Sequence, residues 1–96
     1  MSTPALDHLM GAYLHQDYDL YGKTPMDAVE AFLNDEPDLA RPLAAEIDAL
    51  LASGLTEQEV ERRVFDLGCQ VYPDKGYAGY RPWLAVIAER ARENRS

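Results

Sequence analysis

Apolar side chains recur along the chain with the period of a helix and not of a strand. Leu6, Leu9, Met10, Tyr13 and Leu14 fall at i, i+3, i+4, i+7 and i+8, so one apolar stripe runs down a first helix over residues 5–15. A second helix is signalled by Thr24 as N-cap, Pro25 in the first helical position and Asp27 in the first turn; Val29, Phe32 and Leu33 give it an inner face. It should stop at Glu36, because Pro37 disfavours helical geometry in the residue before it. A third, the longest, is expected over 38–53 with Leu39, Leu43, Ile47, Leu50 and Leu51 inward and Gly54 as terminator; Pro42 is tolerable there only within the first turns.

TEQE at 56–59 is a capping box that opens a fourth helix to Leu67, with Val60, Val64 and Leu67 inward and a Glu59–Arg63 pair on its surface. Gly68 ends it. CQVYPDKGYAG at 69–79 keeps no period and reads as a loop, with at most a short extended piece around 70–72. A last helix follows from Tyr80 or Arg81 to about residue 94, with Trp83, Leu84, Ile87, Ala88 and Ala91 inward. The pattern therefore predicts an all-α fold: a bundle of about five amphipathic helices in a single domain over 1–96, with one longer Tyr/Gly/Pro loop before the last helix.

Charge changes this picture more than composition does. The chain of 96 residues has a formal net charge of −8. Residues 1–40 carry eight acids against Lys23 alone, and residues 41–96 carry nine acids against eight bases, so nearly all the excess lies in the first two fifths. Such a surface repels nucleic acid and anionic membranes and suits a basic partner; a solubilising role explains the total charge better than it explains the asymmetry. Cys69 is the sole cysteine, which rules out an internal disulfide; no basic, apolar leader opens the sequence, and the longest apolar run, 83–88, is far too short to span a bilayer. The expectation is a cytoplasmic monomer.

Candidate chemistry gathers in YLHQDYDLYG at 13–22. Asp17, Asp19, Tyr21 and Gly22 fall at positions 1, 3, 5 and 6 of a calcium-loop pattern, but position 12 would be Ala28 where a bidentate glutamate belongs, so no metal is expected. His8 and His15 are seven residues apart, roughly 10 Å along a helix, too far to share a zinc ion, and a buried, inert Cys69 fits better than a ligand. His15 with Asp17 could form a base and its orienter, yet nucleophile, oxyanion hole and phosphate loop are all lacking; His15 suits the carbonyls at a helix end better. No catalytic residue and no cofactor are expected. The six tyrosines fall into two groups; Tyr13 and Tyr80 suit the core, whereas Tyr18, Tyr21 and Tyr77 lie in loops, where lid and contact roles are equally open.

LMGAYLHQDYD at 10–19, AVEAFLNDEP at 28–37, AAEIDALLASGLTEQEVERRVFDLGCQVYP at 44–73 and GYRPWL at 79–84 together resemble the small immunity proteins of bacterial contact-dependent growth inhibition systems. Leu14 and Tyr18 depart from that pattern, which commonly has an aromatic before the histidine and tryptophan after the aspartate. The resemblance implies a protein without catalytic activity that neutralises the C-terminal toxin domain of a large secreted effector. It leaves open whether His15, Gln16 and Asp17 hold the fold or touch the toxin. Since many such toxins are nucleases with basic clefts, the expected contacts are the acids Asp17, Asp19, Asp35, Glu36 and Asp38, anchored by Tyr18 and Tyr21, with Tyr77 as a further contact. The alternative reading is an acidic adaptor or inhibitor of another basic cytoplasmic protein; a small hydrolase using His15 ranks third.

Overall fold

A computed structural model describes residues 3–14, 24–69, 72–73 and 76–93. Among these residues every regular element is helical: α1 (Pro4–His8), a π-helical turn (Leu9–Tyr13), α2 (Pro25–Asp35), α3 (Pro37–Ala40), α4 (Leu43–Ala52), α5 (Glu57–Asp66) and α6 (Tyr80–Glu93). The Cα radius of gyration, 12.0 Å, is that of a compact chain of this length.

Two helix starts are built by reciprocal caps. Thr24 Oγ1 accepts from the Asp27 amide at 3.3 Å while the Thr24 amide donates to Asp27 Oδ2 at 3.2 Å. Thr56 and Glu59 repeat the arrangement at 3.2 and 2.9 Å, so each box satisfies two amides that a helix start leaves open. Glu59 thus serves its own cap, and no ion pair with Arg63 occurs among the described residues.

Two boundaries differ from the periodic reading. The helix expected over 38–53 divides at Arg41–Pro42 into α3 and α4. Pro42 is too deep for a first turn: it has no N–H for the carbonyl four residues back, and its ring crowds that carbonyl. It starts α4 instead, its own carbonyl accepting from the Glu46 amide at 3.0 Å. In the first helix the backbone widens at Leu9, where the Leu14 amide reaches the Leu9 carbonyl at 2.9 Å, the five-residue step of a π turn.

The core gathers the predicted inner faces. Trp83, Phe32, Leu43, Ile47, Leu84 and Ile87 are wholly buried, and Tyr13, Cys69 and Tyr80 join them. Helices α4 and α6 run antiparallel at its centre, with Arg92 bonded to Asp48 towards one end and Arg81 reaching the carbonyls of Leu51 and Leu55 at the other. Helix α2 packs on α6, where Glu30 and Arg90 pair at 3.1 Å.

Candidate functional site

The acids of the α2–α3 corner differ in what they can offer a partner. Helix α2 ends at Asp35 and α3 opens at Pro37, so Asp35, Glu36 and Asp38 crowd one turn of the surface. Glu36 joins the two helices: its amide donates to the Phe32 carbonyl at 3.0 Å and its carbonyl accepts from Ala40 at 2.9 Å. Its carboxylate turns inward, where Oε2 lies 2.7 Å from His8 Nε2 and accepts from the Tyr13 hydroxyl at 3.1 Å. The rings of His8, Tyr13 and Phe32 pack at centroid distances of 5.3–5.8 Å around this knot. Glu36 is therefore a strut between the first helix and the corner, contributing charge but little freedom.

Asp38 is the opposite case. Its side chain is 96% exposed, and Arg41 approaches it only at 3.4 Å while itself largely in solvent, a pairing that contributes little. Asp35 is exposed as well. The other described acids of the first forty residues are occupied: Asp7 accepts from Thr3, Asp27 caps α2 and Glu30 pairs with Arg90. Among the described residues, Asp35 and Asp38 are the N-terminal acids that face solvent without a cap or a close partner.

Tyr77 is half-buried against the core in the approach to α6, and no hydrogen bond or ring contact among the described residues joins it to Asp35, Glu36 or Asp38. His15, Gln16, Asp17, Tyr18, Asp19 and Tyr21 lie outside the described residues.

The residues of GYRPWL serve the frame. Glu57, in the first turn of α5, turns its carboxylate onto another helix: Oε2 accepts from the Tyr80 amide at 2.6 Å and Oε1 from the Arg81 amide at 3.1 Å. A Cβ on Gly79 would stand 2.7 Å from that carboxylate, so the glycine makes room for the cap. Arg81 then bonds the Leu55 and Leu51 carbonyls at 2.6 and 3.0 Å, closing the end of α4. Glu46 does for α1 what Glu57 does for α6, accepting from the amides of Ala5 and Leu6 at 3.2 and 2.8 Å. Near α5's other end, Gly68 at φ 111° brings its backbone against Gly11, whose Cα would be 3.0 Å from a Cβ there.

One further feature falls outside the predicted set. Phe65 and Tyr72 are the exposed large apolar side chains of the described residues, and their rings meet edge to face at 6.2 Å. Phe65 rests in turn on Tyr80 at 5.8 Å, and Tyr80 on Trp83 at 5.9 Å. Burial, aided by Cys69, Glu61, Tyr72 and Glu57 nearby, holds the Tyr80 phenol well above its ordinary ionisation range. The available signal was phase: Phe65 lies off the Val60–Val64–Leu67 stripe.

These features define a small all-α protein, stitched at its helix ends and carrying outward acidic and aromatic side chains. The chain belongs to the CdiI immunity protein family, which matches residues 2–91. It is a toxin-neutralising immunity protein that binds a cognate toxin. No curated protein matches the chain, and no solved structure does. Among the described residues no helix is long and apolar enough to cross a membrane.

Proposed function

We propose that the chain silences its toxin by covering a basic, nuclease-like surface with its acidic N-terminal face. Asp35 and Asp38 carry the proposal, because they stand outward on a corner of the segment that holds nearly all the excess negative charge. Glu36 adds to the field while remaining tied to His8 and Tyr13. Asp17 and Asp19 extend the charge in sequence, with Tyr18, Tyr21 and Tyr77 as the aromatic contacts. Binding and not catalysis neutralises the toxin, whose C-terminal domain meets the protein as a monomer in the producing cell's cytoplasm. Complementary charge would raise the encounter rate towards ~10⁸ M⁻¹s⁻¹ at low salt.

The test begins with the C-terminal domain of the effector encoded immediately upstream, expressed with and without this protein. Growth restored by the protein identifies the cognate pair. Asp35→Lys/Asp38→Lys is then compared with wild type by surface plasmon resonance across a salt series. Acidic occlusion predicts association slowed about tenfold at low salt and a flatter salt dependence. An unchanged association rate in that variant, and in one that also reverses Asp17, Asp19 and Glu36, would refute the mechanism while leaving the immunity role standing.

A further inference from the structure

We infer that the exposed pair Phe65–Tyr72 is a second toxin-binding anchor, fitted to an apolar pocket edged by Arg or Lys on the toxin domain. The inference rests on the toxin-neutralising role of the family and not on the acidic corner.

Three observations converge on this patch. Tyr72 is 73% exposed and Phe65 38% exposed, the two touch, and no other large apolar side chain of the described residues is so exposed. Apolar area displayed in one place and not scattered is what a binding surface needs. The pair is also braced from behind. The row Tyr72, Phe65, Tyr80, Trp83 passes edge to face from solvent to the wholly buried indole. Tyr80 is fixed further by the cap from Glu57 to its amide. An anchor held in this way loses little side-chain freedom when it docks.

The surroundings select the partner's chemistry. Glu61 lies one helical turn before Phe65 and Asp66 directly after it, and the Glu57 carboxylate sits at the Tyr80 amide, 2.6 Å away, at the inner end of the ring row. The bases of α5 are Arg62 and Arg63, three and two residues before Phe65. Carboxylates beside open aromatic faces attract a guanidinium or ammonium twice over, through charge and through the ring quadrupole. A pocket that accepts Phe65 and Tyr72 and carries a cation at its rim fits; an acidic or purely polar face does not.

The cognate toxin domain, identified by growth rescue, is the probe. Phe65→Ala/Tyr72→Ala should weaken binding about tenfold or more through faster dissociation, equally at low and high salt. Tyr72→Arg, at a position too exposed to disturb folding, should weaken binding as well by setting a cation against the partner's cation. The contrast is with Asp35→Lys/Asp38→Lys, whose effect is on association and fades in salt, so that either surface can fail without the other. Affinity within twofold of wild type for both aromatic variants overturns the inference. So does a concentration-dependent dimer in sedimentation velocity that Tyr72→Arg abolishes while toxin affinity is kept, for the patch would then cover a second copy of the chain.

Discussion

Replacing Gly79 with alanine should destabilise the protein only while Glu57 is present. Gly79 does not have a positive φ, so alanine meets no backbone penalty there. The obstruction is the Glu57 carboxylate, 2.7 Å from where the new Cβ would stand. A glutamate can swing away, but it then releases the Tyr80 and Arg81 amides held at 2.6 and 3.1 Å. Helix caps contribute typically ~1 and up to ~2 kcal/mol, and a charged acceptor on two partly buried amides belongs near the upper figure. Against that loss of about 2 kcal/mol, alanine lowers the entropy of the unfolded chain by roughly 0.4–1 kcal/mol. The net cost is ~1–1.5 kcal/mol, or a fall of roughly 5–10 °C in Tm for a domain of this size. In a Glu57→Ala background the cap is already gone, and the same substitution should stabilise by about 0.5 kcal/mol. Urea and thermal unfolding of both single variants and the double variant, followed by far-UV circular dichroism, give the cycle. Equal effects of Gly79→Ala in the two backgrounds would show that glycine is not there for the carboxylate.

Two further predictions concern the frame. Gly68→Ala combines a φ of 111° with a Cβ only 3.0 Å from the Gly11 backbone, so it should cost ~3 kcal/mol or more in urea unfolding; Gly11→Ala, whose Cβ meets the Leu67 carbonyl at 3.3 Å, should cost distinctly less. The Thr56 amide and hydroxyl hold the Glu59 carboxyl below its ordinary value. Its contribution to stability is therefore complete above that ordinary value and lost as pH falls through the lowered one. The gap between the urea midpoints of wild type and Glu59→Ala should accordingly be open at pH 7 and closed in strong acid.

The helical class and the inner faces were legible because period and caps are local. The π turn was not, since five residues of α and π helix show nearly the same stripe; what accompanies it is the close meeting of Gly11 with the Leu67–Gly68 backbone. Pro42 was visible as an obstacle, and only the start of α3 at Pro37 shows it to be too deep to absorb. Glu46 and Glu57 carry no sequence signal of their role, for one shared reason. Each is an acid in the first turn of its own helix, where it reads as a partner of that helix's dipole, and each serves a different helix instead. At the corner, Asp35 and Asp38 are exposed, as acids in short helix-linking turns usually are. The tether on Glu36 comes from His8 and Tyr13, 28 and 23 residues away, and no local pattern carries it.

The stitched helix ends divide the chain's side chains into two kinds. Glu46, Glu57 and Arg81 hold backbone groups of helices other than their own, so exchanging any of them alters the frame before it alters recognition. Asp35, Asp38 and Tyr72 hold nothing of that kind, and they can be rewritten at little expense to the fold. A scaffold partitioned in this way lends itself to grafting: transplanting the outward positions of one immunity protein onto the frame of another should carry specificity across, whereas transplanting the stitches should carry only stability.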